Sequence, residues 1–461
     1  MRDSAALSSL PRSHLPPQVP GLPWVGSLPR LVSQRFQFLE EARRQHGEIF
    51  RLSLGLSEAI ALCHPRHAQH VLVDHGRNYS KGGPFWDSVR TLMGNGLPVS
   101  DGPFWMRQRR MLQPAFSHQQ IATLAVRLME SIDEGLTEQW EPAARAGEPF
   151  NVAQAFTHLT MHVLVRTMFG SGLPRAEAEQ ASEAMAYIID FMLKGMVARF
   201  LPKWTPIPGT ARYRVAVQTI DSIIFRMLDR GEQDPALGNT LLSLLLKASD
   251  SDTGEHMTPA QLRDEAVALF VAGFETTSVA MAWVLHELTQ QPEIGQRLQG
   301  EVDTVLGTRM PGFEDVRRLT YTRNVLQESL RLYSPAYWLP RTPLEDDEID
   351  GYRIPAGTLV GVLSHLIHRH PDIWESPEQF DPDRFTPERS ARRPKQAWLP
   401  FGGGQRQCIG KEFALMEGQF LLARIAQRFR VESIPGRTAQ MNFTTTLRTK
   451  RGVWVRLSPR E

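Results

Sequence analysis

Cysteine is nearly missing from this chain: only Cys63 and Cys408 occur in 461 residues. Two thiols cannot build a disulfide framework, and zinc or iron–sulfur sites that need several thiolates are excluded. A reducing, cytoplasmic setting is therefore expected. An excess of charge of one sign is also missing, since 52 Lys and Arg face 50 Asp and Glu for a net charge of +2. No global field points to nucleic acid or to an anionic membrane. The first residues, MRDSAALSSLPRSHLPPQVPGLPWVGSLPRL, lack a basic stretch followed by an unbroken apolar run. The expectation is an extended, proline-rich arm over residues 1–30, with neither a signal peptide nor a membrane anchor. Long apolar runs are scarce too. The exception, Ala266 to His286, carries Glu275 near its middle, and a central carboxylate costs about 2.5–3.5 kcal/mol on insertion scales. A helix buried inside protein is the expected reading.

What is present is the composition of a soluble globular chain with a large core, 41% hydrophobic and 22% charged. Short strand-like stretches occur at about 45–65 (EIFRLSLG and EAIALCHP), 340–365 (DGYRIPAGTLVGVLSHLI) and 450–458 (RGVWVRLS). Between Phe104 and Leu332 apolar residues recur every three or four positions, as in QQIATLAVRLMESIDEGLTEQW, FTHLTMHVLVRTMFG, EAMAYIIDFMLKGMVARF and YRVAVQTIDSIIFRMLDR. The fold class expected is mainly α with a smaller β region, in one domain over 1–461. Thr258-Pro259-Ala260-Gln261 reads as a capping box with proline at the first helical position, and starts the helix that contains Glu275.

Cys408 sits in LPFGGGQRQCIGKEFALMEGQF, behind three glycines and Arg406 and before an amphipathic helix. A thiol at a helix N-terminus meets free amide hydrogens and the positive end of the dipole, so an anion is expected. On these residues alone three readings stand: a buried structural thiol, a nucleophile, or a single axial ligand to a metal in a prebuilt ring. Phe401, Gly404, Arg406, Cys408 and Gly410 fill F-x-x-G-x-R-x-C-x-G, which resembles the haem-binding signature of the cytochrome P450 family. Further stretches resemble that family in order. They are WMRQR with Trp105 and Arg109, AGFETT with Ala272, Glu275 and Thr276, ESLR with Glu328 and Arg331, AYWLPR with Arg341, and PEQFDPDRF with Arg384.

The resemblance implies haem b buried between the Thr276 helix and the Cys408 helix, with the Cys408 thiolate as axial iron ligand. It implies Trp105, Arg109, Arg341 and Arg406 at the haem propionates, and a buried triad of Glu328, Arg331 and Arg384 orienting the cysteine loop. Thr276 would bond back to the Ala272 carbonyl, Glu275 would relay protons, and Gly273 would leave room for O2. The activity implied is hydroxylation or epoxidation of a hydrophobic small molecule such as a terpenoid, steroid, fatty acid or polyketide. Electrons would come from NAD(P)H through a separate ferredoxin or flavodoxin and its reductase, docking on Arg107, Arg110, Lys411 and RSARRPK, and the enzyme would be a cytoplasmic monomer. The pocket candidates are Phe85, Trp86, Phe191, Phe270, Ala272, Tyr337, Trp338 and Phe443. Two other functions are compatible with a haem-thiolate centre, a peroxide-driven peroxygenase or isomerase and a non-enzymatic haem-thiolate sensor. The run SHLIHRHP reads as a strand with His368 and His370 on one face and His365 on the other, and the family's usual acidic residue is missing near His370, a departure expected to bear only on surface polarity.

Overall fold

The computed structural model describes residues 14–55, 57–170, 176–177, 180–181, 183–188, 191, 207–233 and 240–460. Most of the expected helix at 183–200 lies outside these residues, as do residues 1–13 of the arm. Helices dominate. Those that position the site are α1 (Gly102–Leu112), α2 (His118–Gly135), α3 (Val152–Phe169), α4 (Pro259–Gln290), α5 (Thr320–Leu332) and α6 (Lys411–Arg428). The helical period read from the sequence thus becomes real helix, and mainly α with a smaller β region is the observed class.

The α4 helix starts as its sequence signals. Thr258 Oγ1 accepts from the Gln261 N–H at 3.3 Å while the Thr258 N–H donates to Gln261 Oε1 at 2.8 Å, and Pro259 fills the first position. Among the described residues α4 is the one helix long and apolar enough to cross a membrane, and 78% of its most apolar stretch is buried in protein. Its apolar residues face inward all round because they are shared between two cores. Met281, Val284 and Leu285 join Phe156, Leu326 and Phe420 in one, whereas Ala266, Val267 and Phe270 join Met185, Ile220 and Leu242 in the other. The closest partner of α4 is α3. A Cβ on Gly273 would lie 2.9 Å from Leu164 Cδ1 of α3, so the missing side chain allows two helices to approach. This packing role stands beside the expected one, since Gly273 also keeps accessible surface.

The β region is assembled from distant segments. One sheet has the order β1 (Ile49–Leu54), β2 (Ser57–Leu62), β8 (Leu359–Val362), β5 (Leu339–Pro343) and β3 (Tyr79–Ser80), with β2 and β8 parallel and the other pairs antiparallel. A second joins β4 (Pro149–Asn151), β12 (Trp454–Pro459) and β9 (Phe429–Ser433), and two-stranded pairs are made by β6 (Asp347–Ile349) with β7 (Tyr352–Ile354) and by β10 (Met441–Phe443) with β11 (Leu447–Thr449). The strand reading of SHLIHRHP is corrected. Its neighbour β2 ends at Leu62, so the ladder has no partner beyond Val362, and Ser364–Ile367 coils into one helical turn. All three histidines are buried, and His370, expected at the surface, pairs its Nε2 with Glu48 Oε1 at 3.0 Å.

Candidate haem site

The loop before α6 is held in shape by its own backbone. The Gly402 N–H donates to Leu399 O at 3.0 Å, the Gln407 N–H to Gly404 O at 3.1 Å, and the Cys408 N–H to Phe401 O at 2.9 Å. Phe401 packs on the first core and faces Trp398, whose Nε1 donates to Gln327 O of α5 at 3.2 Å. Gly404 adopts φ +64°, and Gly410 caps α6. Together these bonds fix the loop that carries Cys408, which retains accessible surface.

The thiol is not an anion by itself. Burial pushes its pKa up, against the opposing pull of the Gly410 N–H, Arg109, Lys81 and Lys411. The helix-terminus argument named a real effect but the smaller one, since desolvation outweighs it. A cationic metal centre is the partner that would make this sulfur a thiolate.

Behind the loop, Glu328, Arg331 and Arg384 come together with no exposed Glu328 or Arg331 side chain. Arg331 Nε and Nη2 donate to the two Glu328 oxygens at 2.7 and 2.8 Å, and Arg384 Nε donates to Glu328 Oε1 at 3.2 Å. His368, which sequence reasoning did not assign, completes the link. Its Nδ1 lies 3.0 Å from Arg331 O, and its Nε2 accepts from the Leu399 N–H at 2.7 Å. That pair of bonds requires a neutral ring donating through Nδ1. Burial accordingly lowers the His368 pKa to about 3 and takes that of His365 well below the ordinary value. Because the unfolded chain binds these protons more tightly, stability is complete above about pH 6.5 and is lost as pH falls from there toward about 3. The melting midpoint of the holoprotein should drop through this window; a flat profile between neutral and mildly acidic pH would contradict the neutral-ring assignment.

On the other side lies a cluster of cations. Arg406 stacks on Trp105, with Cζ 3.8 Å from the ring centroid, donates to Ser100 O at 2.6 Å and pairs with Asp101. Arg341 on β5 is buried, and its side chain donates from Nη1 to Pro340 O at 2.8 Å. Lys81, buried as well, was not anticipated; it donates from Nζ to Pro98 O and sits 4.8 Å from the Trp86 ring. Burial first, then mutual repulsion, lowers the pKa of Lys81 well below its ordinary value and that of Arg341 to about 10; Arg406 falls to about 10 too, Asp101 opposing. Asp101 is the carboxylate that answers all three, which leaves the cluster short of anionic charge. Such a deficit suits a cofactor bearing two carboxylates, so haem fits these residues together with the Cys408 sulfur. Arg109, half-buried, donates from Nη1 to Gln407 O at 3.0 Å and thus holds the cysteine loop itself.

In the middle of α4, Ala272, Gly273 and Thr276 keep accessible surface, whereas Val271, Phe274, Glu275 and Thr277 are buried. Thr276 Oγ1 donates to Ala272 O at 2.5 Å, and Thr160 Oγ1 of α3 donates to Phe274 O at 3.1 Å, so side chains engage two carbonyls at this point of the helix. Glu275 points elsewhere. Its carboxylate takes Arg448 Nε and Nη2 at 2.7 and 2.9 Å and Thr446 Oγ1 at 2.7 Å from the β10–β11 hairpin. A further acid was missed. Glu417 on α6 is buried against Thr277 Oγ1 at 3.1 Å, and burial pushes its pKa up to about 8, which keeps a proton there at neutral pH.

The pocket candidates divide. Phe85 lies edge-on to both Trp86 and Trp338, with centroids 5.0 and 4.8 Å apart. Phe191 stacks on Tyr213 and Phe270 is buried next to Phe274. Tyr337 and Phe443 instead pack with Phe36 and His365 in the core beneath β1 and β2. The expected docking cations are also partly spent: Arg107 and Arg110 both pair with Asp250, at 2.9 and 3.2 Å.

Comparison with known proteins agrees with this geometry. The family model described as Cytochrome P450 matches residues 16–455. The cyclooctat-9-en-7-ol 5-monooxygenase of Streptomyces melanosporofaciens is 34% identical, covering 93% of each chain, and the pentalenene oxygenase of Streptomyces avermitilis is 28% identical over 95% of this chain and 96% of its own. The crystal structure of the cytochrome P450DA haem domain superposes with a TM-score of 0.87 at 27% identity, covering 96% of this chain and 98% of that one. The protein is a monooxygenase of the cytochrome P450 family.

Proposed function

We propose that this enzyme oxygenates a cyclic terpenoid, drawing electrons from NAD(P)H through a separate ferredoxin or flavodoxin. The observation that carries the substrate class is the likeness, over 93% of both chains, to a monooxygenase named for cyclooctat-9-en-7-ol. The aromatic set around Phe85, Trp86 and Trp338 supports it, because an apolar ring system without charges is held by shape and burial. The residues that would hold haem are Cys408, whose sulfur would bind the iron, and Lys81, Arg341 and Arg406, which would meet the propionates, while Arg109 and Phe401 hold the cysteine loop. Haem, when bound to Cys408, supplies the activation of O2 and the insertion of one oxygen atom into a C–H bond.

The chain's own residues manage protons. Thr276 holds its hydroxyl hydrogen toward Ala272 O in the resting state, and rotation about its side chain frees it to donate into the pocket. Glu275 must leave Arg448 before it can carry a proton, so the β10–β11 hairpin controls that relay. In Thr276→Ala protein, electron consumption should continue while product per electron falls several-fold; unchanged coupling would remove Thr276 from the relay. The substrate class is tested by a spin-shift and turnover screen of cyclic terpene alcohols and hydrocarbons against fatty acids and macrolactones, driven by reductase and ferredoxin or by peroxide alone. Terpenoid turnover that needs reductase and ferredoxin supports the proposal. Turnover confined to fatty acids, or driven as well by peroxide, contradicts it.

A further inference from the structure

A buried acid that the proton relay does not use lies on α4 two helical turns before Ala272, on the same face of the helix. Glu265 is 1% exposed. Its Oε2 accepts the Leu97 N–H at 3.0 Å, and its Oε1 is buried with no partner. A single donor suits the carbonyl oxygen of a neutral carboxyl, whereas a carboxylate would keep a bare, desolvated oxygen. We propose that Glu265 is a positioning residue: as an uncharged acid it latches the loop 94–101 onto α4, and on ionising it releases that loop.

The loop lies hard against the helix. A Cβ on Gly94 would fall 2.1 Å from Asp264 Oδ1, and one on Gly96 would fall 2.9 Å from Ala268 Cβ. The Asn95 N–H donates to Asp264 Oδ2 at 2.7 Å at the exposed edge, while the Leu97 N–H reaches Glu265 beneath. What the loop carries gives the latch its consequence. Pro98 O accepts from Lys81 Nζ, Val99 O from Arg90 Nη2 at 2.7 Å and Ser100 O from Arg406 Nη1 at 2.6 Å, so two of the cations assigned to the propionates rest on it. Leu97 and Val99 pack in the core that holds Phe270, and the helix Pro84–Met93, which bears Phe85 and Trp86, runs directly into the loop. The surrounding charges do not favour an anion at Glu265. Asp264 beside it is a carboxylate, and Arg263 is held by Asp264 and by Asp221 of the helix Thr210–Gln233, at 2.9 Å each. Arg90, on the helix Pro84–Met93, is engaged by Asp87 and by the loop itself. Burial, with Asp264 adding to it, raises the Glu265 pKa to about 7 against the pull of the Leu97 N–H, whereas a solvated Glu265 in the released loop returns to about 4.5. The closed loop thus binds the proton more tightly. Closure is fully supported below about pH 4.5, weakens as pH rises toward about 7 and levels off above it, where both states are ionised.

The test is amide hydrogen exchange of the haem-loaded protein, followed by mass spectrometry at several pH values between about 5 and 8 and corrected for the intrinsic exchange rate. Peptides spanning 94–101 should lose at least about tenfold in protection between about pH 5 and 7 and little more above that, while peptides from the core of α2 lose none. Glu265→Gln, which stays neutral, should keep the loop's low-pH protection throughout. Asp264→Asn still offers an oxygen to the Asn95 N–H but lacks the neighbouring charge, so its loss of protection should end at a lower pH. Loop protection that does not change between about pH 5 and 7 in wild type, a loss shared equally by α2, or a wild-type pH profile in either variant overturns the proposal.

Discussion

Arg331→Ala protein is expected to accumulate without haem. All five donors of this guanidinium are engaged inside the fold: besides the two bonds to Glu328, Nη1 donates to His368 O at 2.8 Å and to Pro377 O at 2.7 Å, and Nη2 to Gln379 O at 3.1 Å. Truncation removes a donor from three carbonyls, of which Gln379 O keeps a long bond from Arg384 at 3.5 Å, and leaves the Glu328 carboxylate buried with Arg384 and the Asp381 N–H as partners. Breaking a buried pair in this way costs about 3–5 kcal/mol, a large share of the roughly 5–15 kcal/mol by which domains are stable. The damage also has a route to the sulfur, because His368 bonds Arg331 on one ring nitrogen and Leu399, at the start of the cysteine loop, on the other. Arg331→Lys keeps the charge but offers three donors without the planar fork, so it should also be haem-poor. The measurement is the ratio of Soret to protein absorbance, with the reduced carbon monoxide spectrum as a check on the ligand. Full haem loading of Arg331→Ala would show that the triad does not hold the loop.

The parts of this site that were legible in the sequence are those whose geometry is local. Glu328 and Arg331 are three residues apart on a helix, so their contact follows from the helix once the helix is read. The capping box at Thr258 and Gln261 and the glycine loop ahead of Cys408 are of the same kind. What was illegible depends on pairing across the chain. Glu275 has a partner in Arg448, 173 residues away, and nothing in AGFETT signals that its carboxylate faces a hairpin. Lys81 stands alone in YSKGGPFW, and only the folded sheet brings it close to Arg341 and Arg406. Glu417 reads as one more polar position on an amphipathic helix until α4 is laid against it. The histidine run failed for a different reason. Alternation continues past β8, but a strand needs a neighbour, and β2 supplies none after Leu62. Aromatic residues were the least informative: Phe85 and Tyr337 look alike in sequence, yet the first meets Trp86 and Trp338 and the second belongs to the core beneath β1 and β2.

Gly404→Ala is expected to be nearly as damaging as loss of Arg331, and for a purely steric reason. At φ +64° an L side chain is already disfavoured, by about 1–2 kcal/mol. The larger obstacle is space, since a Cβ there would lie 1.8 Å from Leu72 O and 2.8 Å from Leu72 C. Those are backbone atoms of the π-helical turn His70–Asp74, which cannot swing aside as a flexible side chain would. The cysteine loop itself must move, and with it the sulfur. Gly402 provides the control. Its φ is +69°, but nothing lies within 4 Å of an added Cβ, so Gly402→Ala should carry only the conformational cost of about 1–2 kcal/mol and still bind haem. Gly403→Ala should fall between them, because the atom it meets at 2.8 Å is the Oε1 of Gln396, the end of a mobile side chain. Haem content and the thiolate-type carbon monoxide band, measured across the three variants, should therefore rank 402 above 403 above 404. Equal loss at all three positions would mean that the loop needs glycine for flexibility; a haem-replete Gly404→Ala would mean that the contact with Leu72 does not set the position of Cys408.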